Sequence, residues 1–111
     1  LKYIGTLCVE FFIDRNDNLY VNEIAPRVHN SGHLTINAFN ISQFENHIRA
    51  VCSLEQIPLK KLHNAEMINL IGNQITPYRQ NINLNDNEFF FDYQKKEVRE
   101  KRKMGHITIL E

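Results

Sequence analysis

The stretch GTLCVEFFIDRNDNLYVNEIAP, residues 5–26, decides how the rest of the chain is read. It holds two runs of strand-forming residues, Leu7 to Ile13 and Leu19 to Ile24. Between them Asp14, Arg15, Asn16, Asp17 and Asn18 form a cluster of turn residues, the pattern of a β-hairpin. Each run carries one carboxylate among apolar neighbours, Glu10 in the first and Glu23 in the second. With a four-residue loop, Arg15 to Asn18, Asp14 pairs with Leu19 and Glu10 lies directly opposite Glu23. A loop one residue shorter sets Glu10 against Asn22 instead. Cross-strand partners bring their Cβ atoms to about 5 Å. Two carboxylates at that distance repel by roughly 3 kcal/mol at an effective dielectric of 20. Acids kept so close inside an apolar sheet call for a cation between them or a proton on one. A hard divalent metal is the natural cation, and Mg²⁺ usually comes with substrate phosphates. The plain alternative is that each acid lies on a wet strand face.

Composition sets bounds on the whole. The chain has 111 residues, 42% hydrophobic, with zero formal net charge, enough for a modest core but with no bulk attraction to nucleic acid or membrane. No apolar run approaches the roughly 20 residues of a membrane helix. Cys8 and Cys52 sit in apolar patterns and read as reduced core thiols of a cytoplasmic protein. The chain opens on Leu1 and runs almost directly into a strand, so it reads as part of a longer protein.

Beyond the hairpin, Pro26 ends the second strand. Arg27, His29, Asn30, Ser31 and His33 then crowd donors into a short loop suited to an anion, with the Arg27 guanidinium matching phosphate or bicarbonate. His29 and His33 have helical zinc spacing, but Pro26, Gly32 and the lack of a third ligand argue against zinc. Residues 34–39 suit a helical turn. Ser42 and Glu45 form a capping box, and Phe44, Ile48, Val51 and Cys52 make an apolar stripe expected to pack on the sheet with the acids. His47 and Arg49 lie mostly off it, as solvated or capping groups. Residues 55–64 read as a connector between residues 1–54 and 65–111. A strand follows at residues 65–72, then a long Asn-rich loop over 73–87 with room for at most one weak turn of helix. Strands at 88–93 and 104–110 flank a basic hairpin tip. Six of the thirteen basic residues fall in positions 95–103. That patch suits phosphate; nucleic acid is disfavoured because no aromatic residues interleave with the charges.

The run NEIAPRVHNSGH, residues 22–33, with VEFF at 9–12, ISQFENHIRAV at 41–51 and the two pieces KEVR (96–99) and RKMGH (102–106), closely resembles the ATP-grasp enzymes of purine synthesis. The nearest members are those that carboxylate aminoimidazole ribonucleotide. The resemblance implies an α+β fold: the antiparallel-sheet half of an ATP-grasp domain, then a small β-rich carboxy-terminal subdomain of rudimentary single-hybrid type. It implies a ligase that uses ATP and Mg²⁺, or Mn²⁺, to activate bicarbonate as carboxyphosphate, working as a cytoplasmic homodimer when intact. Glu10 and Glu23 would be the metal ligands, and Asn22 and Glu23 neighbours of the nucleotide. Arg27, Asn30 and His33 would be catalytic, Arg27 stabilising carboxyphosphate. Lys96, Arg99, Arg102 and Lys103 would bind the ribonucleotide phosphate. Two departures stand out. Ala25 occupies the place where many superfamily members carry a metal-binding Asn, and Glu100-Lys101 replaces a common Pro-Gly. This chain alone is expected to be inactive, half of the nucleotide cleft being absent. The other readings are a different ATP-grasp ligase of the same pathway, or an anion- or RNA-binding module.

Overall fold

A computed structural model describes residues 2–80 and 83–111. The chain divides into two compact units, Leu1–Lys60 and Lys61–Glu111. Antiparallel sheets with few helices make up both, which is the expected α+β class.

In the first unit, β1 (Cys8–Ile13) and β2 (Leu19–Ala25) form the hairpin. The turn departs from the four-residue loop. Asp14 N–H donates to the Asn18 carbonyl at 3.1 Å, and Asp17 adopts a left-handed φ of 61°, so the loop is Arg15 to Asp17. Asp14 fastens it: its carboxylate accepts from the backbone N–H of Asn16 and Asn18 and from the Asn18 amide, which holds its carboxyl below the usual range. At the tip Ile13 therefore pairs with Leu19, a register that would set Glu10 against Asn22. A bulge between Glu10 and Phe11 corrects it. Phe11 pairs with Val21, Glu10 pairs with Glu23, and Asn22 is the extra residue.

Asn30–Gly32 forms a 3₁₀ turn and α1 (Thr35–Ala38) the anticipated helical turn, leading to α2 (Gln43–Val51). Ser42 caps α2, its Oγ accepting from Glu45 N–H at 3.2 Å. The Glu45 carboxylate does not reach back; it pairs with Arg49 one turn on, at 2.9 Å. The helix also reverses its expected face. Gln43 is buried and His47 half-buried, while Phe44, Ile48, Val51 and Cys52 are exposed. The inward pair is polar because backbone needs partners there. His47 Nδ1 accepts from Thr6 N–H at 3.1 Å, and the Gln43 carbonyl accepts from Thr6 Oγ1 at 3.2 Å. Among the described residues of this unit the buried apolar ones are Ala25, Ala38 and Ile41. Neither cysteine is a core residue, Cys8 being half-buried and Cys52 exposed, and both are free thiols.

The second unit is a three-stranded antiparallel sheet, β3 (Ala65–Ile71), β4 (Glu88–Asp92) and β5 (Lys103–Leu110), in the order β3-β5-β4. Part of the stretch anticipated as a loop is helical. A 3₁₀ turn, Gly72–Ile75, runs into α3 (Thr76–Gln80), with Pro77 in the first turn where its missing N–H costs nothing. Residues 81 and 82 of that stretch lie outside the described residues. Ile75 closes a core with Leu70, Met104 and Ile107, against which Tyr78, Phe90 and Ile109 pack. Gly72 has φ +54° and donates its N–H to the Arg102 carbonyl at 2.9 Å; a Cβ there would lie 2.8 Å from the Glu100 carbonyl oxygen. Among the described residues no helix is long and apolar enough to cross a membrane.

Candidate metal and anion site

The bulge places three polar side chains from two strands on one face. Glu10 and Glu23 face each other, and Asn22 Nδ2 donates to Glu10 Oε2 at 3.2 Å. The face is not an apolar interior: the two carboxyl side chains are 37% and 48% exposed, so water screens much of their repulsion. What the sequence did not assign to them is His29. Its ring, only 12% exposed, brings Nε2 to 3.0 Å from Glu23 Oε1 and 3.5 Å from Glu10 Oε1. Ser31 N–H points at His29 Nδ1 at 3.3 Å, so Nδ1 accepts and the ring proton sits on Nε2, facing the acids.

The ligand atoms of Glu10, Glu23 and His29 lie within 4.8 Å of one another. Opposite oxygen ligands of Mg²⁺ stand about 4.2 Å apart, twice a bond of about 2.1 Å. Small side-chain rotations would let both carboxylates share one such ion. Carboxylate oxygens suit Mg²⁺ and Mn²⁺, whereas imidazole favours softer ions. The donor set therefore fits the metal that the resemblance implies.

The remaining loop residues have separate engagements. Arg27 is exposed, its Nη1 donating to the Val28 carbonyl at 3.1 Å. Asn30 lies in the 3₁₀ turn, its carbonyl accepting from His33 N–H at 3.1 Å. His33 turns away from His29: its Nδ1 meets Gln43 Nε2 at 2.7 Å and its ring stacks on Phe44 at 5.3 Å. The two histidines thus do not converge on one ion.

The basic residues belong to the second unit. Lys96 and Arg102 are exposed and form no ion pair among the described residues. Arg99 is paired with Glu97, Nη2 to Oε2 at 2.6 Å. The base of this segment is tightly built. Arg79 of α3 forms a two-pronged pair with Asp92, Nε–Oδ2 and Nη2–Oδ1 both 2.7 Å, and its Nη2 also reaches the Lys95 carbonyl at 3.2 Å. This pair holds the Asp92 carboxyl below its ordinary range and raises Arg79. Lys95 donates to the Lys103 carbonyl at 2.6 Å, and its ammonium is pulled below the usual lysine range by burial and by the nearby Arg102. Lys95 is therefore a structural tie. Beneath it, buried His106 bonds Tyr93 through Nδ1 at 2.8 Å and stacks on Phe91. A cleft of about 360 Å³ in this unit, lined by Ile68, Asn69, Leu70, Gln74 and Tyr78, includes none of the expected site residues.

Facing carboxylates on an antiparallel hairpin, with a donor-rich loop after the second strand, are the features on which the resemblance to ATP-grasp enzymes rests. Residues 1–44 match the ATP-grasp domain family, and residues 65–111 match the phosphoribosylaminoimidazole carboxylase C-terminal domain. The first part of the chain is thus similar to ATP-grasp domains and the last to the carboxylase C-terminal domain. Over 99% of its length it is 46% identical to an N5-carboxyaminoimidazole ribonucleotide synthase of Staphylococcus aureus, of which it spans 30%. The crystal structure of the S. aureus synthetase complexed with ADP superposes on 98% of this chain and 30% of that one, with a TM-score of 0.88 and 46% identity. The Aspergillus clavatus synthase in complex with ADP and 5-aminoimidazole ribonucleotide covers 96% of this chain and 30% of its own, with a TM-score of 0.84 and 35% identity. The chain thus spans about a third of the length of the relatives it matches.

Proposed function

We propose that this chain supplies the metal-binding and ribonucleotide-phosphate-binding parts of an ATP-dependent ligase that carboxylates 5-aminoimidazole ribonucleotide with bicarbonate, through carboxyphosphate. The observation that carries this is the Glu10–Glu23 pair, set face to face by the bulge, in a chain 46% identical to a named synthase. Residues 1–54 form the ATP-grasp part, 55–64 the connector and 65–111 the carboxy-terminal subdomain. The intact enzyme acts in the cytoplasm as a homodimer, on small molecules rather than nucleic acid.

Glu10 and Glu23 hold Mg²⁺ or Mn²⁺, with Asn22 steadying Glu10 and Asn22 and Glu23 adjoining the nucleotide. When bound, the ion neutralises charge on the phosphates, the main requirement of phosphoryl transfer. Arg27, on an exposed loop, swings its guanidinium onto the carboxyphosphate anion. Asn30 and His33 complete the pocket around that anion. Lys96 and Arg102, exposed and without ion pairs among the described residues, take the phosphate of the ribonucleotide. Arg99 and Lys103 assist, Arg99 after leaving Glu97.

In the intact enzyme, Glu23→Gln is expected to lower turnover by about 100-fold or more with the melting temperature little changed, the mark of lost charge stabilisation. Wild-type turnover in that variant would remove Glu23 from the site. Lys96→Ala is expected to raise KM for the ribonucleotide while KM for ATP stays the same. An unchanged KM for the ribonucleotide would reject the phosphate contact.

A further inference from the structure

Gln43 is a buried polar side chain of the first unit, 8% exposed at the first position of α2. Its amide makes three hydrogen bonds to the loop that carries His29 and His33. One amide atom receives the His29 backbone N–H at 2.9 Å. A backbone N–H only donates, so that atom is the carbonyl oxygen and the other is the nitrogen. The nitrogen then donates to the His29 carbonyl at 2.7 Å and to His33 Nδ1 at 2.7 Å. An amide nitrogen cannot accept, so His33 Nδ1 must, and a neutral ring in that state carries its proton on Nε2.

The surroundings are shaped to this amide. A Cβ on Gly32 would lie 2.6 Å from Gln43 Oε1, so a glycine is what the contact admits. From the other side, Gln43 N–H donates to Thr35 Oγ1 at 2.9 Å, and Thr6 Oγ1 donates to the Gln43 carbonyl. A side chain gripped on every polar atom has one position, and it transmits that position to what it holds.

We propose that Gln43 is the positioning residue of the site: it clasps His29 by both backbone groups, which sets the imidazole against Glu10 and Glu23, and it holds His33 as the neutral Nε2–H tautomer. The effect on turnover rests on the ligase reading; the tautomer does not.

The test compares the ring nitrogens of isotope-labelled histidines by NMR in the intact wild-type protein and in Gln43→Glu. In wild type, His33 should show an unprotonated Nδ1 and a protonated Nε2. The carboxylate of Gln43→Glu can only accept, so His33 should gain a proton on Nδ1 and its signals should move. Gly32→Ala, which displaces the amide without changing its chemistry, should disturb the same signals should Gln43→Glu not fold. Both variants should lower kcat by about 10–100-fold, the usual cost of losing a group that orients a site residue. A protonated Nδ1 in wild type, or unmoved His33 signals in a folded variant, overturns the inference. Moved signals with unchanged kcat overturn the positioning role while leaving the ligase reading intact. A wild-type protein that makes no carboxylated product removes the ligase reading, and the tautomer result then decides the inference.

Discussion

The two units solve burial in opposite ways. In the second, Ile75 and Met104 are fully enclosed and Leu70 and Ile107 nearly so, with His106 and Thr108 buried on the same strand as Met104 and Ile107, while most of the basic segment stays outside. In the first, Phe11, Phe12, Ile13, Leu19, Tyr20 and Val21 lie exposed along the hairpin, Phe12 at 60%, while a glutamine is buried. The second unit is organised by apolar contact, the first by a hydrogen-bonded loop around Gln43 and by a hairpin whose apolar faces have little of this unit against them. Apolar burial is tolerant of small shifts, whereas hydrogen bonds fix positions to a few tenths of an ångström. The unit that presents the carboxylates is the one built on the more exacting interaction.

Truncation should expose this contrast. Met104→Ala is expected to cost about 2–5 kcal/mol by chemical denaturation, the range for a large aliphatic side chain removed from a closed core. A cost under about 1 kcal/mol would mean the core collapses around the gap, and the contrast between units would weaken. Asp92→Asn breaks the two-pronged pair with Arg79, and a loss of about 1–2 kcal/mol is expected at neutral pH. The sign with pH follows from the direction of the shift. Asp92 is depressed in the folded state, so its contribution is present above the unfolded carboxyl pKa and is lost as pH falls below about 4. Wild type and Asp92→Asn should therefore converge in stability on acidification; parallel curves would place the pair outside the stability of this unit. The smallest effect is expected from Phe12→Ala, below about 1 kcal/mol, as for exposed positions generally. A cost matching Met104→Ala would reveal that this face is covered in the assembled protein.

Much of this was legible in the sequence. The hairpin, the three strands of the second unit and the Ser42 cap follow from short-range patterns: alternation, turn residues, and a hydroxyl ahead of a helix. The facing of Glu10 and Glu23 was also legible, but through the wrong turn. A four-residue loop and a three-residue loop with a bulge give the same pairing at Glu10, and no local signal in Val21-Asn22-Glu23 marks the bulge. Gln43 was hidden for a different reason. Its partner His29 is 14 residues away, and Gln43 lies off the apolar stripe of its own helix. The stripe Phe44, Ile48, Val51 was read as buried because amphipathic patterns usually are; here the backbone N–H and the hydroxyl of Thr6 claim the opposite face. The signal that could have exposed Gln43 is Gly32, a glycine in a donor-rich turn with no positive φ to require it.

The single extra residue at Asn22 separates the hairpin into two frames of pairing. Removing it would not pull the acids apart: the outer frame, continued inward over a strand one residue shorter, again sets Glu10 against Glu23. Only the amide beside Glu10 would vanish. The acidic pair is thus written into the spacing of the strands twice over, and the insertion adds a third functional group without displacing the first two.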